Sequence, residues 1–159
     1  MIKVGFIGAG DIAYLHGEGV QSSSNAELYG IWNRTRSKAE EKASLFDTRV
    51  FDSPEDLIEA VDVVYVLTNM ETHHAYCMQA IEAGKHVLVE KPTAVTIEEI
   101  EEIKAFAHQK GVQVAPVHNY VYEAPVMRAK ELIESGKLGD LVSIYVLYNI
   151  HHPEEVAAR

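Results

Sequence analysis

The feature that most limits what this chain can fold into is a glycine turn close to its start. A mainly apolar run, Ile2–Ile7, stops at Gly8-Ala9-Gly10, and a helical pattern follows. Gly8 allows a tight turn out of a strand, Gly10 leaves room for a phosphate beside the backbone, and Ala13 lets the helix pack closely on the strand. The pattern predicts the strand–turn–helix opening of a dinucleotide-binding fold. The alternative is an ordinary turn between a strand and a helix.

Apolar strand patterns and helical patterns alternate through the first 120 residues. This alternation predicts an α/β fold with a doubly wound parallel sheet, the Rossmann type. In such sheets, ligands bind beyond the carboxyl ends of the strands. The loops that begin at Gly8, Asn33, Thr68 and Glu90 all follow strands. We therefore expect them to meet at one crevice.

Charge and cysteine usage exclude several classes of protein. The net charge of −10, from 24 acidic and 14 basic residues, argues against nucleic acid or an anionic membrane as a partner. The single cysteine, Cys77, excludes an internal disulfide, and we expect a buried thiol. No apolar stretch is long enough to span a bilayer, and the first strand leaves no room for a signal peptide. We therefore expect a cytoplasmic protein.

The residues after the second predicted strand bear on the choice of cofactor. NAD sites usually place an acid there, to bind the adenosine ribose hydroxyls. This chain has Asn33-Arg34-Thr35-Arg36-Ser37, with no acid. Arg34 and Arg36 would attract a 2′-phosphate, so we expect NADP to be preferred over NAD. The alternative is a solvated helix start capped by Thr35 or Ser37.

Several segments together resemble a known family. The block Gly84–Pro92, which ends in Glu90-Lys91-Pro92, is similar to the A-G-K-H-V-L-x-E-K-P block of the Gfo/Idh/MocA oxidoreductases (glucose–fructose oxidoreductase, inositol dehydrogenase and rhizopine catabolism proteins). Thr68 and His73 stand where that family has T-P-x-x-x-H. Residues 134–141 resemble its turn into a second domain. With the glycine motif, the resemblance covers nearly the whole chain.

The resemblance implies an NAD(P)-dependent dehydrogenase or reductase that moves hydride between nicotinamide and a sugar, cyclitol or related alcohol or carbonyl compound. It implies that Lys91 is catalytic, beside the nicotinamide and the reacting oxygen, and that the peptide bond before Pro92 is often cis. Taken with the loop positions, it implies cofactor contacts at Gly8, Gly10, Asp11, Ile12, Asn33, Arg34, Arg36, Thr68, Asn69, His73, Glu90, Lys91 and Asn119. Outside this resemblance, Lys91 would be an exposed loop lysine.

The chain departs from the family pattern at two positions. Asn69 replaces the usual proline, which is expected to alter the loop over the nicotinamide. Val121 stands where many members have an arginine, so no cofactor contact is expected from that side chain. His118 and Asn119 can still line the site, although a structural role for a lone histidine is equally compatible with the sequence.

Residues 121–159 correspond to only the first helix, about residues 124–135, and the first strand, about 141–150, of the family's α+β substrate domain. We therefore expect a fragment of a longer protein that carries a truncated second domain. An apolar strand without neighbours is a pairing site, so a homo-oligomer formed through this strand is the alternative. The expected partner is a small, sugar-like or polyol-like substrate.

Two further points concern metal binding and the class of function. The pairs His73-His74 and His151-His152 lack the spacing and companion ligands of a metal site, so no metal is expected. The alternative to an enzyme is a dinucleotide-binding or cofactor-sensing module that catalyses no reaction. The absence of most of a substrate domain favours that module, whereas Lys91 favours the enzyme.

Overall fold

The computed structural model describes residues 1–147. The chain forms two compact units, Met1–His118 and Asn119–Arg159. The assignment of the first as a cofactor domain and of the second as the start of a substrate domain stays a prediction. In the part that the structure describes, no helix is both long and apolar enough to cross a membrane.

The first unit is built on a six-stranded parallel sheet in the order β3-β2-β1-β4-β5-β6. The strands are β1 Ile2–Ile7, β2 Ala26–Trp32, β3 Arg49–Val50, β4 Val63–Val66, β5 His86–Val89 and β6 Val114–Pro116. This confirms the predicted doubly wound sheet. The strand order reverses between β1 and β4, and that reversal opens a crevice at the carboxyl ends.

Helices connect the strands of the sheet. They are α1 Ile12–Gln21, α2 Arg36–Phe46, α3 Pro54–Ala60, α4 His73–Glu82, α5 Ile97–Lys110 and, in the second unit, α6 Ala124–Glu134. Short 3₁₀ helices span Met70–Thr72 and Asn119–Tyr122. Ser53 caps α3, because its hydroxyl accepts the N–H of Asp56 at 3.0 Å.

Two apolar clusters cover the two faces of the sheet. Ile7, at the end of β1, packs with α3, α4 and α5 residues, whereas its neighbour Phe6 packs with α1 and α2 residues. Adjacent strand residues point to opposite faces, so each cluster belongs to one face. Cys77 is fully buried in the first cluster, as expected, and burial raises the pKa of its thiol to about 12.

The strand predicted over residues 141–150 is wrong for the part that the structure describes. Residues 141–147 have no strand structure, and Val142 and Tyr145 are 96% and 94% exposed. A strand forms only when its backbone pairs with a neighbour, and the six-stranded sheet ends at β6. Residues 148–150, like His151 and His152, lie outside the described residues.

Candidate functional site

The glycine turn is closed against the neighbouring strand at Gly8. This residue has φ +117°, and a Cβ placed on it would lie 2.6 Å from the carbonyl oxygen of Leu67. Its N–H donates to the carbonyl of Trp32 at 2.8 Å. The predicted tight turn out of β1 is therefore confirmed, and glycine is required there by the protein's own backbone.

The same turn is open at Gly10. A Cβ on Gly10 would meet no protein atom within 4 Å. Three residues further along α1, Ala13 is fully buried against the sheet, as predicted. Among the described residues, no atom stands in the way of a Cβ at position 10, so the space above the turn is open to a ligand.

A cavity of about 270 Å³ lies over this turn. Its lining residues come from the ends of β1, β2 and β4 and from the helices that follow. They are Gly8, Ala9, Gly10, Trp32, Asn33, Arg34, Thr35, Lys38, Leu67, Thr68, Asn69, Thr72 and Tyr76. The lining contains two cations, Arg34 and Lys38, and no aspartate or glutamate. The cavity therefore attracts anions.

Asn33 connects two of the loops around this cavity. Its Oδ1 accepts the N–H of Ala9 at 3.1 Å, and its Nδ2 donates to the carbonyl of Thr35 at 2.9 Å. The side chain thus fixes the glycine turn to the loop after β2. Its predicted contact with the adenosine end of a cofactor stays a prediction.

The structure places Arg34 and Arg36 in different surroundings. Arg34 precedes α2, whereas Arg36 is its first residue. Arg34 lines the cavity, whereas Arg36 forms ion pairs with Asp52 and Glu40 and lies outside the lining. The hydrogen bonds from Arg36 to Asp52 and Glu40 raise the pKa of its guanidinium. Lys38, two residues further along α2, lines the cavity instead, because two helical steps turn the side-chain direction by about 200°.

An aromatic wall on the cavity is formed by Trp32 and Tyr76. Their rings meet edge to face, with centroids 5.8 Å apart and planes at 62°. Burial raises the pKa of the Tyr76 hydroxyl, the carboxylate of Glu55 adds to the rise, and the charge of Arg34 opposes it. Tyr76 was not predicted as a site residue, since its aromatic side chain in a helical pattern carries no signal of its own.

The loop after β4 keeps its turn without the family's proline. Asn69 has φ −72°, which lies within the range that proline imposes. The hydroxyl oxygens of Thr68 and Thr72 are 2.7 Å apart, and Thr72 donates to the carbonyl of Asn69 at 2.9 Å. The φ of Asn69 is thus one that proline could adopt, and the effect of the replacement on the loop over the nicotinamide stays a prediction.

His73 lies beneath the cavity and is only 1% exposed. Its Nε2 is 2.9 Å from the carbonyl oxygen of Thr68, and its Nδ1 is 2.8 Å from that of Pro92. Both distances are within hydrogen-bond range, and the ring nitrogen that carries the hydrogen donates to the carbonyl oxygen it faces. The ring therefore connects the loop after β4 to the loop after β5. The predicted direct cofactor contact of His73 stays a prediction.

Glu90 and Lys91 follow β5, and the Lys91–Pro92 peptide bond is cis, as expected. Glu90 is buried, whereas Lys91 is exposed and forms no ion pair with the residues that the structure describes. The Glu90 carboxylate accepts the N–H of Lys91 at 3.0 Å and also contacts His16 Nε2 at 2.8 Å. His16 was missed by the sequence analysis.

The remaining predicted positions are placed as follows. Asp11 and Ile12 form the start of α1 directly after the turn. Asn119 begins the 3₁₀ helix of the second unit, and its predicted cofactor contact stays a prediction. Among residues 1–147, no three His, Cys, Asp or Glu side chains come together as metal ligands.

Comparison with known proteins finds a family match over the first unit. Residues 2–118 match the Gfo/Idh/MocA model, described as an oxidoreductase family with a NAD-binding Rossmann fold. The chain is 35% identical to the glucose-6-phosphate 3-dehydrogenase of Bacillus subtilis over 92% of its length and 42% of that enzyme. It is 34% identical to the NADP(+) scyllo-inositol 2-dehydrogenase IolW of the same organism, over 99% of the chain and 44% of the relative.

A solved structure agrees with these matches. A NAD binding oxidoreductase from Klebsiella pneumoniae superposes with a TM-score of 0.82 at 26% identity, over 87% of this chain and 40% of that one. In each of these comparisons, the chain spans less than half the length of the related protein.

Proposed function

The chain belongs to the Gfo/Idh/MocA oxidoreductase family, and on that premise we propose that it binds a nicotinamide dinucleotide in the cavity over the glycine turn. The observation that carries this proposal is the cavity at the point where the strand order reverses, lined by Gly10 and two cations and by no acid. Dinucleotides bind at this point of doubly wound sheets.

The pyrophosphate would lie over the turn formed by Gly8 and Gly10 and at the start of α1, with Asp11 and Ile12. Helix N-termini bind phosphate through backbone N–H groups and a partial positive charge. The open space above Gly10 supports this position, because no protein atom occupies it. Without a side chain at residue 10, a phosphate can approach the backbone.

The adenosine end would lie toward β2, between the cations and the aromatic wall. Arg34 and Lys38 supply two positive charges there, and Asn33 replaces the acid that would repel a 2′-phosphate. We therefore propose NADP as the preferred cofactor and NAD as the weaker one. We propose a weaker contact between Arg36 and the 2′-phosphate, because Asp52 and Glu40 already pair with its guanidinium.

The nicotinamide end would lie toward β4 and β5. Thr68 and Asn69 would contact the ribose, and His73 would hold the loop beneath them. When bound, the nicotinamide supplies or accepts the hydride. Lys91 would orient the substrate's oxygen and carry its proton, since its ammonium is exposed and engaged by no carboxylate of the described chain.

We propose that the whole enzyme is a cytoplasmic, homo-oligomeric dehydrogenase or reductase of sugars or cyclitols. The matched relatives named for glucose 6-phosphate and scyllo-inositol support this substrate class. For this chain alone, a binding module without turnover is the second candidate, because the chain spans 42% and 44% of those relatives.

Titration of this chain with NADPH and with NADH, followed by nicotinamide fluorescence at matched salt, tests the proposal. We expect NADPH to bind more tightly, and Arg34→Ala to weaken NADPH about tenfold while changing NADH by less than about twofold. A preference for NADH would contradict the 2′-phosphate contact and leave the cavity assignment standing. No binding of either dinucleotide would contradict the proposed function.

A further inference from the structure

A buried pair of side chains lies directly behind the loop that carries Lys91. Glu90 is 7% exposed, and its two carboxylate oxygens have different partners. Oε1 is 2.8 Å from Nε2 of His16, and Oε2 accepts the N–H of Lys91 at 3.0 Å. One carboxylate therefore joins α1 to the loop after β5, across 74 positions of sequence.

The fold places these groups on the same face of the sheet. Val89 points to the face covered by α4 and α5, so the next side chain along the strand, Glu90, points to the face covered by α1. His16 lies three residues after Ala13 on α1, on the side that packs against the sheet. The pairing thus follows from strand alternation and helix periodicity together.

The imidazole of His16 is oriented by aromatic rings as well as by Glu90. It meets Phe6 edge-on at 6.4 Å between centroids and Tyr65 at 5.6 Å, with interplanar angles of 78° and 81°. Phe6 and Tyr65 are themselves stacked at 5.3 Å. These contacts restrict the plane of the ring, and the 2.8 Å contact with Glu90 places Nε2 toward the carboxylate.

We propose that His16 is a positioning residue for Lys91 and acts through Glu90. This inference rests on the proposed function in taking Lys91 as the residue beside the nicotinamide and the substrate. His16 holds one oxygen of Glu90, so the other oxygen stays aimed at the Lys91 N–H. Without His16, the buried carboxylate keeps only one of its two described hydrogen bonds, and the peptide that begins the loop loses its fixed partner.

The first test needs no cofactor and measures amide hydrogen exchange at Lys91 by NMR. We expect His16→Ala to accelerate exchange about fivefold, and Glu90→Ala, which removes the acceptor itself, to accelerate it more. His16→Gln keeps a neutral N–H donor near the position of Nε2 and should restore nearly wild-type exchange. Leu15→Ala, at an exposed neighbour on the same helix, is the matched control.

The second test separates the two halves of the cofactor. His16→Ala should weaken NADPH about fivefold and leave adenosine 2′,5′-bisphosphate, which lacks the nicotinamide, within about twofold of wild type. A role of His16 in overall stability alone would weaken both ligands equally. That result, or unchanged Lys91 exchange in a folded His16→Ala protein, overturns the inference.

The two proposals fail in different ways. If wild-type protein binds no dinucleotide, the proposed function fails, and the exchange experiment still decides whether His16 fixes the Lys91 peptide. If wild type binds NADPH and His16→Ala changes neither exchange nor affinity, only the inference fails. Should His16→Ala not fold, His16→Phe is the second variant, because it keeps an aromatic ring beside Phe6 and Tyr65 but has no donor for Glu90. It is expected to accelerate Lys91 exchange, and wild-type exchange in that folded variant overturns the inference.

Discussion

Residues around the glycine turn fall into two groups with opposite surroundings. The buried group consists of Gly8, His16, His73 and Glu90, whose backbone or side chain is held by protein atoms. The open group consists of Gly10, Arg34, Lys38 and Lys91, which are exposed. In the buried group, the protein itself requires each residue. In the open group, the proposed ligand supplies the requirement. Substitutions should therefore affect stability in the first group and binding in the second.

The largest effect is expected at Gly8. Gly8→Ala places a Cβ 2.6 Å from the Leu67 carbonyl at φ +117°, so we expect unfolding free energy to fall by about 3 kcal/mol or more. Urea denaturation followed by circular dichroism measures this change. Gly19→Ala is the control, because its Cβ meets nothing within 4 Å. A Gly8→Ala protein as stable as wild type would remove Gly8 from the buried group.

His73→Leu should have the next largest effect. The substitution removes the ring N–H that donates to the carbonyl oxygen of Thr68 or Pro92, in a site that is 1% exposed. We expect a loss of about 2–3 kcal/mol in unfolding free energy. His74→Leu, which removes an exposed contact with Glu102, should cost less than about 1 kcal/mol. Equal losses at the two histidines would contradict the account of His73.

Lys38→Ala should act on binding alone, and by a smaller free energy. We expect NADPH affinity to fall about fivefold with unfolding free energy unchanged within about 0.5 kcal/mol. Arg36→Ala, which removes a cation held by Asp52 and Glu40, should change NADPH affinity by less than about twofold. Isothermal titration of both variants makes the comparison. If Arg36→Ala loses more NADPH affinity than Lys38→Ala, Arg36 rather than Lys38 contacts the phosphate.

Asn69→Pro is expected to change the least. The backbone at Asn69 has φ −72°, which proline accepts, so unfolding free energy should stay within about 1 kcal/mol of wild type. Thermal unfolding of wild type and Asn69→Pro, each with and without NADPH, measures the effect of the substitution on the free and the bound protein. A severe loss of stability would show that the asparagine side chain or N–H is needed in this loop.

Most of the fold could be predicted because its signals are local. The apolar strands and the Gly8 turn are each specified by a few adjacent residues. The strand expected over residues 141–150 failed over 141–147 because strand formation depends on a neighbour, which an apolar run cannot reveal by itself.

The site was predicted less completely because several contacts cross long stretches of sequence. Asn33 bonds to Ala9 and His16 bonds to Glu90, and neither pair has a local signal. The choice between Arg36 and Lys38 depends on where α2 begins, since helix phase decides which cation faces the cavity.

The most direct test of the account is the NADPH affinity of Gly10→Ala together with its stability. Because a Cβ at residue 10 meets no protein atom within 4 Å, the variant should unfold at the wild-type denaturant concentration. The same Cβ would stand where the pyrophosphate is proposed to lie, so we predict at least about a tenfold loss of NADPH affinity. A stable Gly10→Ala protein that binds NADPH as tightly as wild type would contradict the proposed site.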